Sequence, residues 1–243
     1  QISSPITGFL PSFLSWGTNH SCMVTQNKKV RCFGANFAKT TSQSGTGMSY
    51  ASGFFADGES AIVTKPKPIK FWNDKVLSLG LSMTESCAAT ESGAVWCWGR
   101  KKVENIVETD IEKTQSYILS AASIRSQIRE INFPSGGGTI TKIASGALHH
   151  CGMTGATNNE PEMFCWGSSQ FKQFASQDSY YETAVKISIP TSNNRVQTLQ
   201  DVQLGRVHSC FLTEDKNTPT SGLKEKNVYC WGPLNRNQFT VPP

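Results

Sequence analysis

Cysteine and histidine are the residues of this chain best able to form bridges, bind metal or move protons, and both recur at regular spacing. The eight cysteines stand at Cys22, Cys32, Cys87, Cys97, Cys151, Cys165, Cys210 and Cys230. Taken as four pairs, the first members are 65, 64 and 59 residues apart and the second members 65, 68 and 65. A period of that size marks an internal repeat. Two chemistries suit such pairs. Zinc would require knuckle-like ligand spacing, and no C-x-x-C is present. One disulfide per repeat uses every cysteine. Of the 105 connectivities open to eight cysteines, the repeat selects Cys22–Cys32, Cys87–Cys97, Cys151–Cys165 and Cys210–Cys230. Closing a loop of about 15 residues stabilises by roughly 3 kcal/mol in the chain-entropy picture, and such bridges imply an oxidising compartment: extracellular, cell-surface or periplasmic.

The four histidines are His20, His149, His150 and His208, and three of them stand two residues before the first cysteine of their repeat. Repeat two has Glu85 there. Around a ring axis such a column could hold a metal, but a histidine at a strand start more commonly hydrogen-bonds its own sheet, and no metal is expected. Catalytic motifs are missing: there is no G-x-S-x-G, H-E-x-x-H or P-loop. The acidic group Glu104, Glu108, Asp110 and Glu112 reads as a solvated face, and Asp57-Gly-Glu59 is one isolated turn. No catalytic residue and no cofactor is expected.

The elements that must position the cysteines are legible. The first member opens Cys22-Met-Val-Thr25, Cys87-Ala-Ala-Thr90, Cys151-Gly-Met-Thr154 and Cys210-Phe-Leu-Thr213. The second sits in Val30-Arg-Cys-Phe-Gly34, Val95-Trp-Cys-Trp-Gly99, Met163-Phe-Cys-Trp-Gly167 and Val228-Tyr-Cys-Trp-Gly232. Alternation with period two makes the latter strands, apolar on both faces and therefore sandwiched between neighbours. Each pair becomes a hairpin with one cysteine per arm, with 9, 9, 13 and 19 residues between them. Upstream lie a glycine (Gly17, Gly146, Gly205; Ser82 in repeat two), short strands such as Val76–Leu79 and Thr141–Ala144, and further apolar segments at Pro68–Phe71, Glu130–Phe133 and Val185–Ile189. Four short strands per unit describe a propeller blade.

Composition narrows the class. A net charge of +5 on 243 residues is far short of a nucleic-acid groove, and no nucleic-acid partner is expected. The apolar runs are too short to span a bilayer, so no membrane insertion is expected. With 10% aromatic residues the chain is too aromatic for disorder. A chain starting at Gln1 is expected to be a processed or excised piece.

The pattern Gly-x-x-His-x-Cys, a hairpin, then aromatic-Cys-Trp-Gly resembles the regulator of chromosome condensation repeat. Gln173-Phe174 and Gln238-Phe239, six residues past Gly167 and Gly232, match the Gln-Leu pair that follows in that family. The resemblance implies an all-β propeller whose disc presents loops to protein partners; the family includes a nuclear exchange factor for a small GTPase and a bacterial β-lactamase inhibitor. A cysteine pair in every repeat is similar to the extracellular versions. The expected architecture is one domain over 1–243, with repeat cores near 12–34, 76–99, 140–167 and 199–232. N-terminal strands such as Ser4–Thr7 would complete the last blade, favouring a closed four-bladed disc.

Residues that break a repeat are available for recognition. The repeated Trp98, Trp166 and Trp231 are expected to pack between blades. The non-repeated Phe54, Phe55, Trp72, Tyr180 and Tyr181 are the ligand-binding candidates. Isoleucines and alanines at three- and four-residue spacing suggest a short helix within 108–131. The function expected is a secreted or cell-surface, non-enzymatic recognition or adhesion module for an extracellular protein or glycan. An inhibitor of a secreted enzyme is the first alternative and an extracellular enzyme the second. Membership of a larger chain or oligomer stays open.

Overall fold

The computed structural model describes residues 11–17, 20–35, 37–41, 48–52, 62–69, 74–83, 85–99, 129–134, 138–155, 160–174, 180–189, 197–216 and 225–233. The repeating unit is an antiparallel sheet. Blade 1 opens with β1 (Pro11–Trp16), β2 (His20–Thr25) and β3 (Val30–Ala35). A separate two-stranded hairpin follows, β4 (Phe37–Thr41) with β5 (Met48–Ser52), before β6 (Ile62–Pro68) returns to the outer edge of β3. Blade 2 comprises β7 (Val76–Leu81), β8 (Glu85–Thr90), β9 (Val95–Gly99) and β10 (Arg129–Glu130). Blade 3 comprises β11 (Ile140–Ser145), β12 (His149–Thr154), β13 (Met163–Ser168) and β14 (Tyr180–Ile187). Blade 4 has β15 (Gln197–Leu204), β16 (Ser209–Asp215) and β17 (Lys226–Trp231). Together they form a four-bladed, all-β propeller architecture.

Two expectations need adjusting. The apolar segments read as opening the following blade instead close the preceding one: β6 pairs with β3, β10 with β9, and β14 with β13. The second hairpin strand has a bare edge, and the chain satisfies it by antiparallel pairing before crossing to the next blade. The helix expected in 108–131 falls mostly outside the described residues, but Arg129 and Glu130 pair with Cys97 and Trp96, and the Ile131 amide donates to the Val95 carbonyl at 2.9 Å. That end is strand. Ser4–Thr7, expected to complete blade 4, lies outside the described residues, as do Phe54, Phe55 and Trp72.

The hairpin cysteines sit directly opposite one another, Cys22↔Cys32, Cys87↔Cys97, Cys151↔Cys165 and Cys210↔Cys230, and all four pairs are bridged. Their Cα atoms are 4.1 Å apart, the close spacing of non-hydrogen-bonded cross-strand pairs. The glycine ending the Cys-Trp-Gly motif has a backbone reason. Gly167 has φ +95° at a register shift between β13 and β14, and a Cβ there would stand 2.7 Å from the Leu148 carbonyl oxygen. A side chain would therefore meet both strain and a clash.

The core lies between blades, and its composition follows one rule. The disulfide face of blades 1, 2 and 3 packs on the inner strand and aromatic face of the next. Cys22, Val24, Val30 and Cys32 of blade 1 meet Val76, Leu79, Leu81, Ala88 and Trp98 of blade 2. Cys87, Val95 and Cys97 meet Ile140, Ile143, Phe164 and Trp166. Cys151, Met163 and Cys165 meet Leu199, Val202, Phe211, Tyr229 and Trp231. Trp98, Trp166 and Trp231 are thus inter-blade packing residues.

Candidate functional site

The turn joining the first two strands carries the repeated glycine in blades 1, 3 and 4 and Ser82 in blade 2, and these four turns line one cavity. Gly146 is required by close approach: a Cβ would lie 2.5 Å from the Gly205 carbonyl oxygen of blade 4. Removing the side chain lets neighbouring turns touch, and they hydrogen-bond in sequence. The Met83 amide donates to the Ala147 carbonyl at 3.0 Å, and the Ala147 amide to the Arg206 carbonyl at 3.1 Å. The turns line an open funnel of about 430 Å³ formed by Trp16 and Gly17, Leu81 to Met83, Ser145 to Ala147, and Leu204 to Arg206. A second cavity of about 260 Å³ runs along the four inner strands and adds Leu14, Lys142 and Gln203. Lys142 forms an ion pair with Asp201.

Beneath this rim the histidines fix the blades to one another. The expectation was a bond within each histidine's own sheet. Instead His20 Nε2 lies 2.7 Å from Ser86 Oγ of blade 2, and His149 Nε2 lies 2.9 Å from Ser209 Oγ of blade 4. Serine one residue before the first cysteine of the next blade is the partner in both. The strand start points its side chain across the blade gap, where burial leaves no water to compete. Burial holds His20 down to about 4. Burial, then the neighbouring His208, holds His149 down to about 3. Both are neutral imidazoles at physiological pH.

The junction of blades 2 and 3 departs from this rule on both sides at once. Glu85 replaces the histidine, and His150 replaces the serine. Glu85 Oε2 and His150 Nε2 are 3.8 Å apart, beyond a hydrogen bond. The carboxylate is held instead by Arg129, whose Nη2 lies 2.8 Å from Glu85 Oε1. Arg129 also reaches blade 3, 3.3 Å from the Tyr180 hydroxyl and 3.4 Å from the Glu182 carbonyl. His150 turns its Nδ1 to Ser145 Oγ at 2.7 Å and stacks on Trp166, with centroids 5.7 Å apart. Burial first, with help from His149 and Arg129, keeps it neutral, down to about 3. Burial, with the Glu85 carboxylate, raises the Tyr180 phenol far above its usual range. The junction thus exchanges a neutral pair for a buried ion pair. A double-mutant cycle over Glu85→Gln and Arg129→Met, read by urea unfolding, is expected to give a coupling of about 1–3 kcal/mol. Strict additivity would show the pair to be energetically independent.

Of the sequence candidates, Tyr180 and Tyr181 are described. Tyr180 is half-buried on Arg129, and Tyr181 packs edge-on against Phe174 with centroids 5.5 Å apart. The side chain that sequence reasoning passed over is Trp16, 73% exposed at the funnel mouth. Its signal was available: the equivalent positions hold Leu81, Ser145 and Leu204, so Trp16 breaks the repeat. Among the described residues no group of three or more His, Cys, Asp or Glu side chains could hold a metal ion, and no helix is long and apolar enough to cross a membrane.

No family model and no curated protein sequence matches the chain. Solved structures do. Human WBSCR16 superposes with a TM-score of 0.61 at 15% identity, over 94% of this chain and 49% of its own. Prp20p from Saccharomyces cerevisiae, described with its binding properties to Gsp1p and histones, gives 0.55 at 20% identity over 89% and 42%. The same yeast RCC1 (Prp20), bound to Kap60, gives 0.54 at 20% identity over 89% and 40%. The chain has the fold of an RCC1-like β-propeller. It spans half or less of the solved proteins it matches. Within the RCC1-like frame, the described part of this chain departs from a bare scaffold at two places, the Trp16 mouth and the Glu85–Arg129 junction.

Proposed function

We propose that this RCC1-like propeller is a non-enzymatic recognition module of an oxidising compartment, and that it binds a protein partner through the funnel face. The observation that carries the reading is the funnel itself, to which all four blades contribute turns and whose lining includes the exposed Trp16. An exposed tryptophan on a rigid strand offers large contact area at little entropic cost. Met83 and Leu81 give the wall apolar character, and exposed Arg206 adds a cation at the rim, which suits a loop bearing an apolar side chain beside a carboxylate. The protein partners named for Prp20p, namely Gsp1p, histones and Kap60, support a protein as ligand. Four hairpin disulfides support the extracellular, cell-surface or periplasmic setting.

Trp16→Ala is expected to leave the unfolding curve within about 0.5 kcal/mol, as for an exposed side chain. It should weaken capture of the partner by about 2 kcal/mol, roughly thirty-fold. Binding is measured by retaining extracellular proteins of the source on immobilised wild type, then titrating the retained protein against wild type, Trp16→Ala and Arg206→Glu. A partner held equally by all three places the binding face elsewhere.

A further inference from the structure

One repeat position beside the funnel changes character in a single blade. The last residue of the first strand pairs with the residue before the first cysteine: Trp16 with Ser21, Leu81 with Ser86 and Leu204 with Ser209. In blade 3 both members differ, and Ser145 pairs with His150. Across the gap, blade 2 presents Glu85 where the other blades have histidine. These three departures meet. Ser145 Oγ lies 2.7 Å from His150 Nδ1, and His150 Nε2 faces Glu85 Oε2 across 3.8 Å. Arg129 Nη2 holds the other carboxylate oxygen at 2.8 Å, and stacking on Trp166 sets the plane of the imidazole. Glu85 and His150 are buried, whereas Ser145 is half-buried and lines both the funnel and the second cavity. Gly80 of blade 2 makes room for the hydroxyl, since a Cβ there would collide with Ser145 Oγ. A carboxylate opposite Nε2 favours a proton on that nitrogen, which leaves the Nδ1 lone pair to accept the Ser145 O–H. A serine whose proton is held by a neutral imidazole, itself facing a carboxylate, is a hydroxyl arranged as a nucleophile.

We propose that Ser145 is a covalent acylation site, taking one acyl group from an activated ester that enters the funnel. Oγ bonds to the carbonyl carbon as the bond from that carbon to the leaving oxygen breaks. The Oγ proton passes to His150 Nδ1 and then to the departing oxygen, so the imidazole ends neutral and the ester is the only co-reactant. Glu85 faces the imidazolium while it exists. The turn beside Ser145 sets the class of acyl donor. Its Gly146 amide donates to the His149 carbonyl at 2.9 Å and its Ala147 amide to the Arg206 carbonyl at 3.1 Å, so neither is directed at a developing oxyanion. An ester with a good leaving group suits this site, and an ordinary peptide bond does not. For the same reason the reaction is a single capture rather than turnover. It stands apart from the partner-binding reading of the funnel, because it needs Ser145 and His150 rather than Trp16 and Arg206.

Incubation of the disulfide-bonded chain with p-nitrophenyl acetate tests this, read by nitrophenol release and by peptide mapping after an acid quench. One acetyl group at Ser145 is expected per chain, and a fluorophosphonate should label the same residue and block acetylation. Ser145→Ala should remove that label, and His150→Gln should slow it by roughly a hundred-fold or more. Glu85→Gln should lower the rate at saturating ester while leaving the half-saturating ester concentration unchanged. The wild type alone also decides, because Ser15 lines the second cavity too and serves as an internal control. A Ser145 that stays unlabelled by both reagents, or reacts no faster than Ser15, overturns the proposal. Labelling that persists at full rate in a folded His150→Gln chain, or nitrophenol release continuing beyond one equivalent, overturns it equally.

Discussion

Acidification from pH 7 to pH 5 is expected to destabilise this propeller. His20, His149 and His150 are buried and neutral, with folded-state values near 4, 3 and 3 against 6.5 for a solvated imidazole. The unfolded chain therefore binds more protons than the folded one from pH 6.5 down to the folded values. Stability is fully present above pH 6.5 and falls continuously below it until the buried imidazoles protonate. Each group contributes about 1.4 kcal/mol per pH unit, so three together give about 4 kcal/mol per unit in the middle of that window. Against a total of roughly 5–15 kcal/mol for a folded domain, this is a substantial fraction. Urea midpoints measured between pH 4 and 8 should be flat above 7 and fall steeply below 6. A midpoint unchanged at pH 5 would mean that the imidazoles are accessible or already charged.

Trp166→Ala should destabilise by about 3–5 kcal/mol, the cost of emptying a site filled by a large buried ring. Trp166 is fully buried between blades 2 and 3, edge-on to Phe133 with centroids 5.8 Å apart and stacked on His150. Its loss opens a void against Ile140 and removes the ring that covers the buried imidazole. Chemical denaturation gives the value directly. If the variant unfolds like wild type and loses only partner binding, the scaffold role assigned to the repeated tryptophans is wrong and they belong to the binding face.

What could be read from the sequence was what repeats within a short stretch. A cysteine on each arm of a hairpin, aromatic residues alternating with Val and Cys, and a glycine closing Trp-Gly all report local geometry, and period-two patterning is enough to find them. The relations between blades were less accessible. His20 and Ser86 are 66 residues apart, and nothing near either one identifies the other. Glu85 looked like a lone departure from its column until packing placed it beside His150 across one gap. The frame of the blade was also hidden. An apolar segment between two hairpins suits either neighbour equally, and only the unfilled edge of the second hairpin strand decides. Trp16 was legible by the criterion applied to Tyr180 and Tyr181, but its place in an ordinary strand masked its exposure.

The position of the bridges bears on how this chain matures. Each cysteine's partner is 10, 10, 14 or 20 residues away, whereas the equivalent cysteine of the next repeat is about 60 residues distant. Encounter within a flexible loop falls with the three-halves power of its length, so a 10-residue loop closes roughly fifteen times more readily than one of 65. Native pairing is therefore also the nearest pairing. A nascent chain can oxidise each hairpin as it emerges, before the following repeat offers a competing thiol. Four similar blades in tandem would otherwise invite scrambled bridges between repeats, and the short loops keep each oxidation event within its own blade.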